Sequence, residues 1–358
     1  MATDVDAQRE ATHFKNRVLD LIDIFVKKNP ANPLIVRLIF PLVELIVSTG
    51  PDEKQLSDKA TGILRNRIGK SKEFPSDVSK EDVAKTLKEL HILARKASTP
   101  DVLATLNQAS LYLSKVLLHA EDLAPVLNAY LESLHDFVAR KASKLNTAFL
   151  DDFVKRHPQA AWNIRDDLVK VSGEALNGYR QAQVFHLIQT LVNQLQVLGD
   201  KKSEVLAFMT ALRKAILGAM TKACNDGSTT LQPAHVKDIL KLALVAARQT
   251  KRIAENANEL STVWQPSNWT ELSNALASSD RLKGSVGLQA MCKQIVQLLQ
   301  NSNIAKSTAK TADKPKTKEE AASTTKRKAA DREEDGDEGV TDGGKKAKRK
   351  KARKAQSC

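Results

Sequence analysis

Aromatic residues make up only 4% of this 358-residue chain, and the tryptophans Trp162, Trp264 and Trp269 are isolated. That scarcity leaves no visible platform on which single-stranded bases could stack. Cysteine is equally sparse. Cys224, Cys292 and Cys358 are scattered and odd in number, which argues against a disulfide framework and fits a reducing compartment. No alternation of apolar and polar residues runs long enough to predict a strand. No apolar run approaches about 20 residues without charge, so no membrane span is expected. The polar, acidic start Met1-Ala-Thr-Asp-Val-Asp6 does not read as a secretory signal.

Signs of catalysis are missing too. His13, His91, His119, His135, His157, His186 and His235 include no pair at a metal-ligand spacing, and neither Cys224 nor Cys292 has a partner near it in sequence, so no zinc site is expected. There is no Gly-x-Ser-x-Gly elbow. Gly69-Lys70-Ser71 ends like a phosphate-binding loop, but the earlier glycine such a loop requires is Leu64 here, in helical sequence. Asp151-Asp152 and Asp166-Asp167 come nearest to paired carboxylates. Both pairs fall in helical sequence, where neighbouring side chains point about 100° apart. They read as helix-surface charges rather than as ligands converging on two metals. No catalytic residue, metal or cofactor is expected.

What the chain has is helix. Hydrophobic residues make up 42% of it, and Leu, Ala, Val, Lys and Glu dominate. Phe14, Val18, Leu21, Ile22 and Phe25 fall on one face of a 3.6-residue period. Asn29-Pro30-Ala31-Asn32-Pro33 breaks the run. Asn32 can cap the next helix, with Pro33 at its first position. That helix carries Leu34, Leu38, Leu42, Leu45 and Ile46 on one side and Ile35, Val36, Ile39 and Val43 elsewhere. It therefore needs neighbours on most sides and reads as an inner helix. Ser79-Lys-Glu-Asp82 and Thr99-Pro100 are helix starts, and Thr147 is expected to cap a short helix stopped by Arg156-His157-Pro158. Gly199 closes another helix. Trp264-Gln-Pro-Ser-Asn-Trp269 reads as a loop, and a last helix follows over about 282–299.

About a dozen helices, paired every ~40 residues, predict an all-α fold of armadillo or HEAT type, an α-α superhelix. A compact helical bundle is the alternative. The helical-repeat domain is expected over 1–304, with a possible sub-boundary near 225–231. From 305 to 358 large apolar residues vanish except Val340, and such a tail is expected to be disordered. It holds 17 Lys or Arg against 10 Asp or Glu, so half of the chain's +14 lies in it.

Two basic clusters stand in the tail: Lys326, Arg327 and Lys328, then Lys345, Lys346, Lys348, Arg349, Lys350, Lys351, Arg353 and Lys354. An acidic block, 331–338, separates them. Clusters this dense fit the acidic groove of a nuclear import receptor. They also suit DNA or RNA phosphates, without base specificity.

Phe14-Lys-Asn-Arg-Val-Leu-Asp-Leu-Ile22 followed by Asn29-Pro-Ala-Asn-Pro-Leu34 resembles the carboxy-terminal part of the Myb-binding protein/DNA polymerase phi family, whose fungal members are called DNA polymerase V. So do Asn107-Gln-Ala-Ser-Leu-Tyr-Leu113, Phe149-Leu-Asp-Asp-Phe153 with Arg156-His157-Pro158, and Tyr179-Arg-Gln-Ala182. The resemblance covers roughly residues 10–200. It implies an armadillo-type, nucleolar protein tied to ribosomal DNA transcription, ribosome biogenesis and transcriptional regulation, with nucleolar or transcription proteins as partners. It also implies that longer members carry repeats upstream of this part. The expectation is a non-enzymatic scaffold. The alternatives are a DNA polymerase, as the family name suggests, although no aspartate-rich strand motif is present, and a cytoplasmic HEAT-type transport adaptor.

Overall fold

Helix starts are set by short polar side chains that accept the first free backbone N–H groups. Ser79 Oγ accepts from Asp82 N at 3.1 Å, and Thr99 Oγ1 accepts from Val102 N at 3.2 Å, with Pro100 at the first helical position. Asn32 Oδ1 accepts from Leu34 N at 2.9 Å. The start expected at Thr147 is capped one residue earlier, where Asn146 Oδ1 accepts from Phe149 N at 3.0 Å. Thr147 instead donates its hydroxyl to Gln183.

The computed structural model describes residues 2–50, 53–225 and 231–300. Among them, fifteen α-helices and no strand are found. They are α1 (Ala2–Lys28), α2 (Leu34–Ser48), α3 (Lys54–Gly62), α4 (Lys80–Ala94), α5 (Pro100–His119), α6 (Leu123–Ala139), α7 (Thr147–Arg156) and α8 (Pro158–Ala161). Then come α9 (Arg165–Ser172), α10 (Gly178–Asn193), α11 (Lys202–Asn225), α12 (Pro233–Ile253), α13 (Ala257–Trp264), α14 (Pro266–Ser278) and α15 (Val286–Gln300). Helix α3 runs on as a π-helical turn, Ile63–Ile68. Gly69 closes that turn, its N–H on Leu64 O at 2.8 Å. A Cβ there would lie 3.0 Å from that carbonyl oxygen, so only glycine fits without a shift. The apparent phosphate-loop ending is thus a helix terminus.

The helices stack in two layers. One layer runs α2, α4, α6, α9, α11 and then α13 with α14; the other runs α1, α3 with its π turn, α5, α7, α10, α12 and α15, each member packing on the next and α5 meeting α3's unit through the π turn. Across the layers α2 pairs with α3, α4 with α5, α9 with α10, α11 with α12 and α14 with α15. This alternation is an all-α helical-repeat solenoid rather than a closed bundle. Helices of the first layer begin at Lys80, Leu123, Arg165 and Lys202, steps of 43, 42 and 37 residues. The core is one continuous apolar seam from Leu19 to Leu299 between the layers. The break at 225–231 is flanked by ties to the α14–α15 connection. Ser279 Oγ donates to Cys224 O at 3.1 Å, and Arg281 donates to Leu231 O at 2.9 Å.

Three further expectations are corrected. On α1 the predicted apolar face is largely solvent-facing: Phe14 is 69% and Leu21 66% exposed, while Leu19 and Val26 enter the core with Ile22 and Phe25 half-buried beside them. Its position is fixed also by polar ties to α3 and the π turn, where Lys59 meets Asp20 at 2.7 Å and Arg67 meets Asp23 at 2.7 Å. On α2 the deepest face is Ile35, Val36, Ile39, Leu42, Val43 and Ile46, with Leu34 exposed. The surrounded inner helix is α5, which buries twelve residues against six on α2. Finally, the loop expected at Trp264–Trp269 is a one-residue joint. Gln265, at φ +45°, separates α13 from α14. The tail, 305–358, with its expected disorder, lies outside the described residues.

Candidate interaction surfaces

The basic residues singled out in the sequence, Lys326 to Lys328 and Lys345 to Lys354, lie outside the described residues. What the body contributes is geometry, beginning with the two aspartates of α7. Asp151 is buried, and its Oδ1 accepts from Thr190 Oγ1 on α10 at 2.6 Å. Its other oxygen holds Lys155 Nζ at 2.5 Å, and the lysine's pKa is raised by that hydrogen bond. Asp152 turns the other way and accepts from Asn107 Nδ2 on α5 at 2.7 Å. Asp151 is therefore not a surface charge. The adjacent carboxylates diverge, as neighbours on a helix must, and fasten α7 to the helices on either side of it. Asp166 is exposed, as a helix-surface charge should be.

Pairs about one repeat apart recur along the stack. His91 and Ser133 are 42 residues apart, Trp162 and Glu204 also 42, Lys80 and the Ala120 carbonyl 40, and Asp151 and Thr190 39. Each joins a helix or its flanking turn to the corresponding part of the next unit. Such ties fix register between units without adding apolar area. A single sequence with no repeated consensus does not reveal them.

A cleft of about 580 Å³ opens where α5 turns into α6 and α7 into α8. Leu118, Leu123, Pro158 and Val197 supply apolar wall, with Arg156 and Glu121 at the rim. Glu121 sits at φ +58° and so turns the chain sharply between the helices. Burial lowers the His157 pKa below its usual value, so the imidazole lining this cleft is neutral near pH 7. Apolar walls beside a charged rim can seat a peptide segment. All three tryptophans are buried in the core and so present no stacking surface.

The fold defines a two-layer α-helical repeat protein. The family described as Myb-binding protein 1A-like, TPR repeats, matches residues 29–302, and the chain belongs to it. The match runs well beyond the region that carries the resemblance in sequence. The chain is 31% identical over 147 residues to the rDNA transcriptional regulator pol5 of Schizosaccharomyces pombe, covering 40% of this chain and 15% of that protein. It is 24% identical over 250 residues to the Myb-binding protein 1A-like protein of Danio rerio, covering 64% and 19%. To the human Myb-binding protein 1A it is 29% identical over 111 residues, covering 29% and 8%. In each case the match covers less than a fifth of the relative's length. No solved structure matches the chain.

Proposed function

We propose that this chain is a nucleolar helical-repeat scaffold acting in ribosomal DNA transcription, ribosome biogenesis and transcriptional regulation, by binding rather than by catalysis. The observation that carries the reading is membership of the Myb-binding protein 1A-like family, together with likeness to a protein named as a regulator of rDNA transcription. The stack supplies rigid surface for transcription proteins, and the cleft at Arg156-His157-Pro158 is the best-formed place for one. The tail clusters, Lys326 to Lys328 and Lys345 to Lys354, are the address for an import receptor. They also hold DNA or RNA phosphates without reading bases. The outward divergence of Asp151 and Asp152, each engaged by a neighbouring helix, supports a structural use of these carboxylates over a polymerase site.

The test is synthesis of ribosomal RNA precursor. Depletion of the protein, followed by pulse-labelling of new RNA, is expected to lower the precursor relative to messenger and transfer RNA. Restoration by the chain carrying Asp151→Asn is expected if no catalysis is involved. Precursor synthesis unchanged on depletion contradicts the proposal.

A further inference from the structure

The positive charge of the body is not spread along the stack. Residues 201–253 hold 10 Lys or Arg against 3 Asp or Glu, whereas the rest of 1–304 holds 29 of each. The whole surplus therefore sits on α11, α12 and their flanks. On α12 the buried residues Val236, Ile239, Leu240, Ala243, Ala247 and Thr250 occupy one arc. The opposite arc carries Lys237, Lys241, Arg248 and Arg252 at i, i+4, i+11 and i+15, all exposed. With a rise of about 1.5 Å per residue they form a straight ridge about 22 Å long.

Several cations near the start of the stack are paired with carboxylates: Lys15 with Glu53, Lys59 with Asp20, Arg65 with Asp101 and Arg67 with Asp23. On the ridge, Lys237 and Arg248 have no ion pair among the described residues. Arg252 touches only the Gln249 amide, at 3.5 Å, and Lys241 meets the arc's single carboxylate, Asp238, at 2.7 Å. Beside the ridge, a cleft of about 350 Å³ between α10 and α12 is lined by Gln183, His186, Gln189 and His235 together with Phe185 and Ile239, and by Asp238, which is paired with Lys241. Its amides and imidazoles are hydrogen-bonding groups suited to phosphate and sugar oxygens.

We propose that this ridge is a polynucleotide-backbone site carried by the folded body, separate from the basic tail. A protein partner would need apolar anchors that become fully desolvated. The exposed arc offers only Leu244 and Val245, both already half-buried. A polyanion needs only regularly spaced cations, and about 22 Å of ridge faces about six phosphates of one B-form strand.

The experiment measures binding of labelled DNA and RNA duplexes to the full chain, by fluorescence anisotropy, from about 50 to 200 mM salt. The ridge variant is K237Q/K241Q/R248Q/R252Q. A control variant, K85Q/K88Q/K96Q/K141Q, removes equal charge from exposed positions elsewhere. A third variant replaces the basic residues of 345–354 by Gln. Thermal unfolding checks that each is folded. The ridge variant, which removes four cations, is expected to flatten the slope of log K against log salt by up to about 3.6 on a DNA duplex, at roughly 0.9 per lost phosphate contact. The control is expected to change it little, and ridge and tail losses should add. Greater loss on one polynucleotide identifies the source. An unchanged slope in the ridge variant, or a loss matched by the control, overturns the proposal. So does retained nucleic-acid binding with lost binding to polyglutamate, which would make the ridge a dock for acidic protein. A silent tail variant would count against the tail's role and leave the ridge standing.

Discussion

His91 Nδ1 lies 2.8 Å from Ser133 Oγ, joining α4 to α6 one repeat further on. The imidazole is fully buried, edge-on to Tyr130 at 4.6 Å and to Phe149 at 5.1 Å between ring centroids. Burial, and secondarily the nearby Arg95 charge, push its pKa down to about 3.

That relationship sets an acid limit. A histidine held neutral in the folded state, with an unfolded value near 6.5, binds its proton only on unfolding. Folding stability is then unaffected above about pH 6.5 and falls by about 1.4 kcal/mol per pH unit below it, until the folded value is reached. The double variant H91F/S133A removes both hydrogen-bonding partners, so no polar group is orphaned. It is expected to flatten the stability–pH profile between about 4 and 6.5 in urea titrations. An unchanged profile would show that other groups govern acid unfolding.

Asp151 and Asp152 give a second expectation. Asp151→Ala strips Thr190 and Lys155 of a shared acceptor and should cost about 2–3 kcal/mol, and Asp152→Ala about 1 kcal/mol. Asp166→Ala, at an exposed site, should stay within about 0.5 kcal/mol. Urea midpoints decide this. Were the pair instead a metal dyad, the two substitutions would abolish magnesium-dependent nucleotide incorporation without moving those midpoints.

On α1 the contrast is between neighbours. Leu19→Ala should lower stability by about 2–4 kcal/mol because its side chain is enclosed. Leu21→Ala, on the exposed face, should change it by less than about 0.5 kcal/mol. Equal losses at the two positions would reverse the assignment of faces.

The joint at Gln265 gives the last. Trp264 Nε1 donates to Thr250 Oγ1 at 2.9 Å, and Trp269 Nε1 donates to Trp264 O at 2.9 Å. The two rings are buried 5.7 Å apart and hold the angle between α13 and α14. Gln265→Val should cost about 1–2 kcal/mol, since a β-branched residue resists the left-handed conformation. Gln265→Gly should leave the melting temperature unchanged or raise it.

Where a helix has a clear start and a single covered face, sequence suffices. Val83, Leu87, Leu90 and Ala94 follow the Ser79 cap and are all fully buried. It misleads where burial depends on which neighbour is present. Phe14 and Leu21 make as good an apolar stripe as any, yet it is Leu19 and Val26 that α1 buries in the core. Trp264 and Trp269 look isolated because the four residues between them, one a proline, suggest a loop, while a single left-handed residue joins two helices there. The ridge on α12 escapes notice for a related reason. Its four cations are spread over sixteen residues among apolar ones, and only the helix brings them onto one line. The polar ties at one-repeat spacing leave no sequence period because each unit uses different residue types.

The central claim, a nucleolar scaffold addressed by its tail, is tested most directly by the location of the fluorescently tagged chain with and without residues 305–358. The expected result is nucleolar signal for the full chain that disperses when the tail is removed. Cytoplasmic signal in both forms would contradict the account.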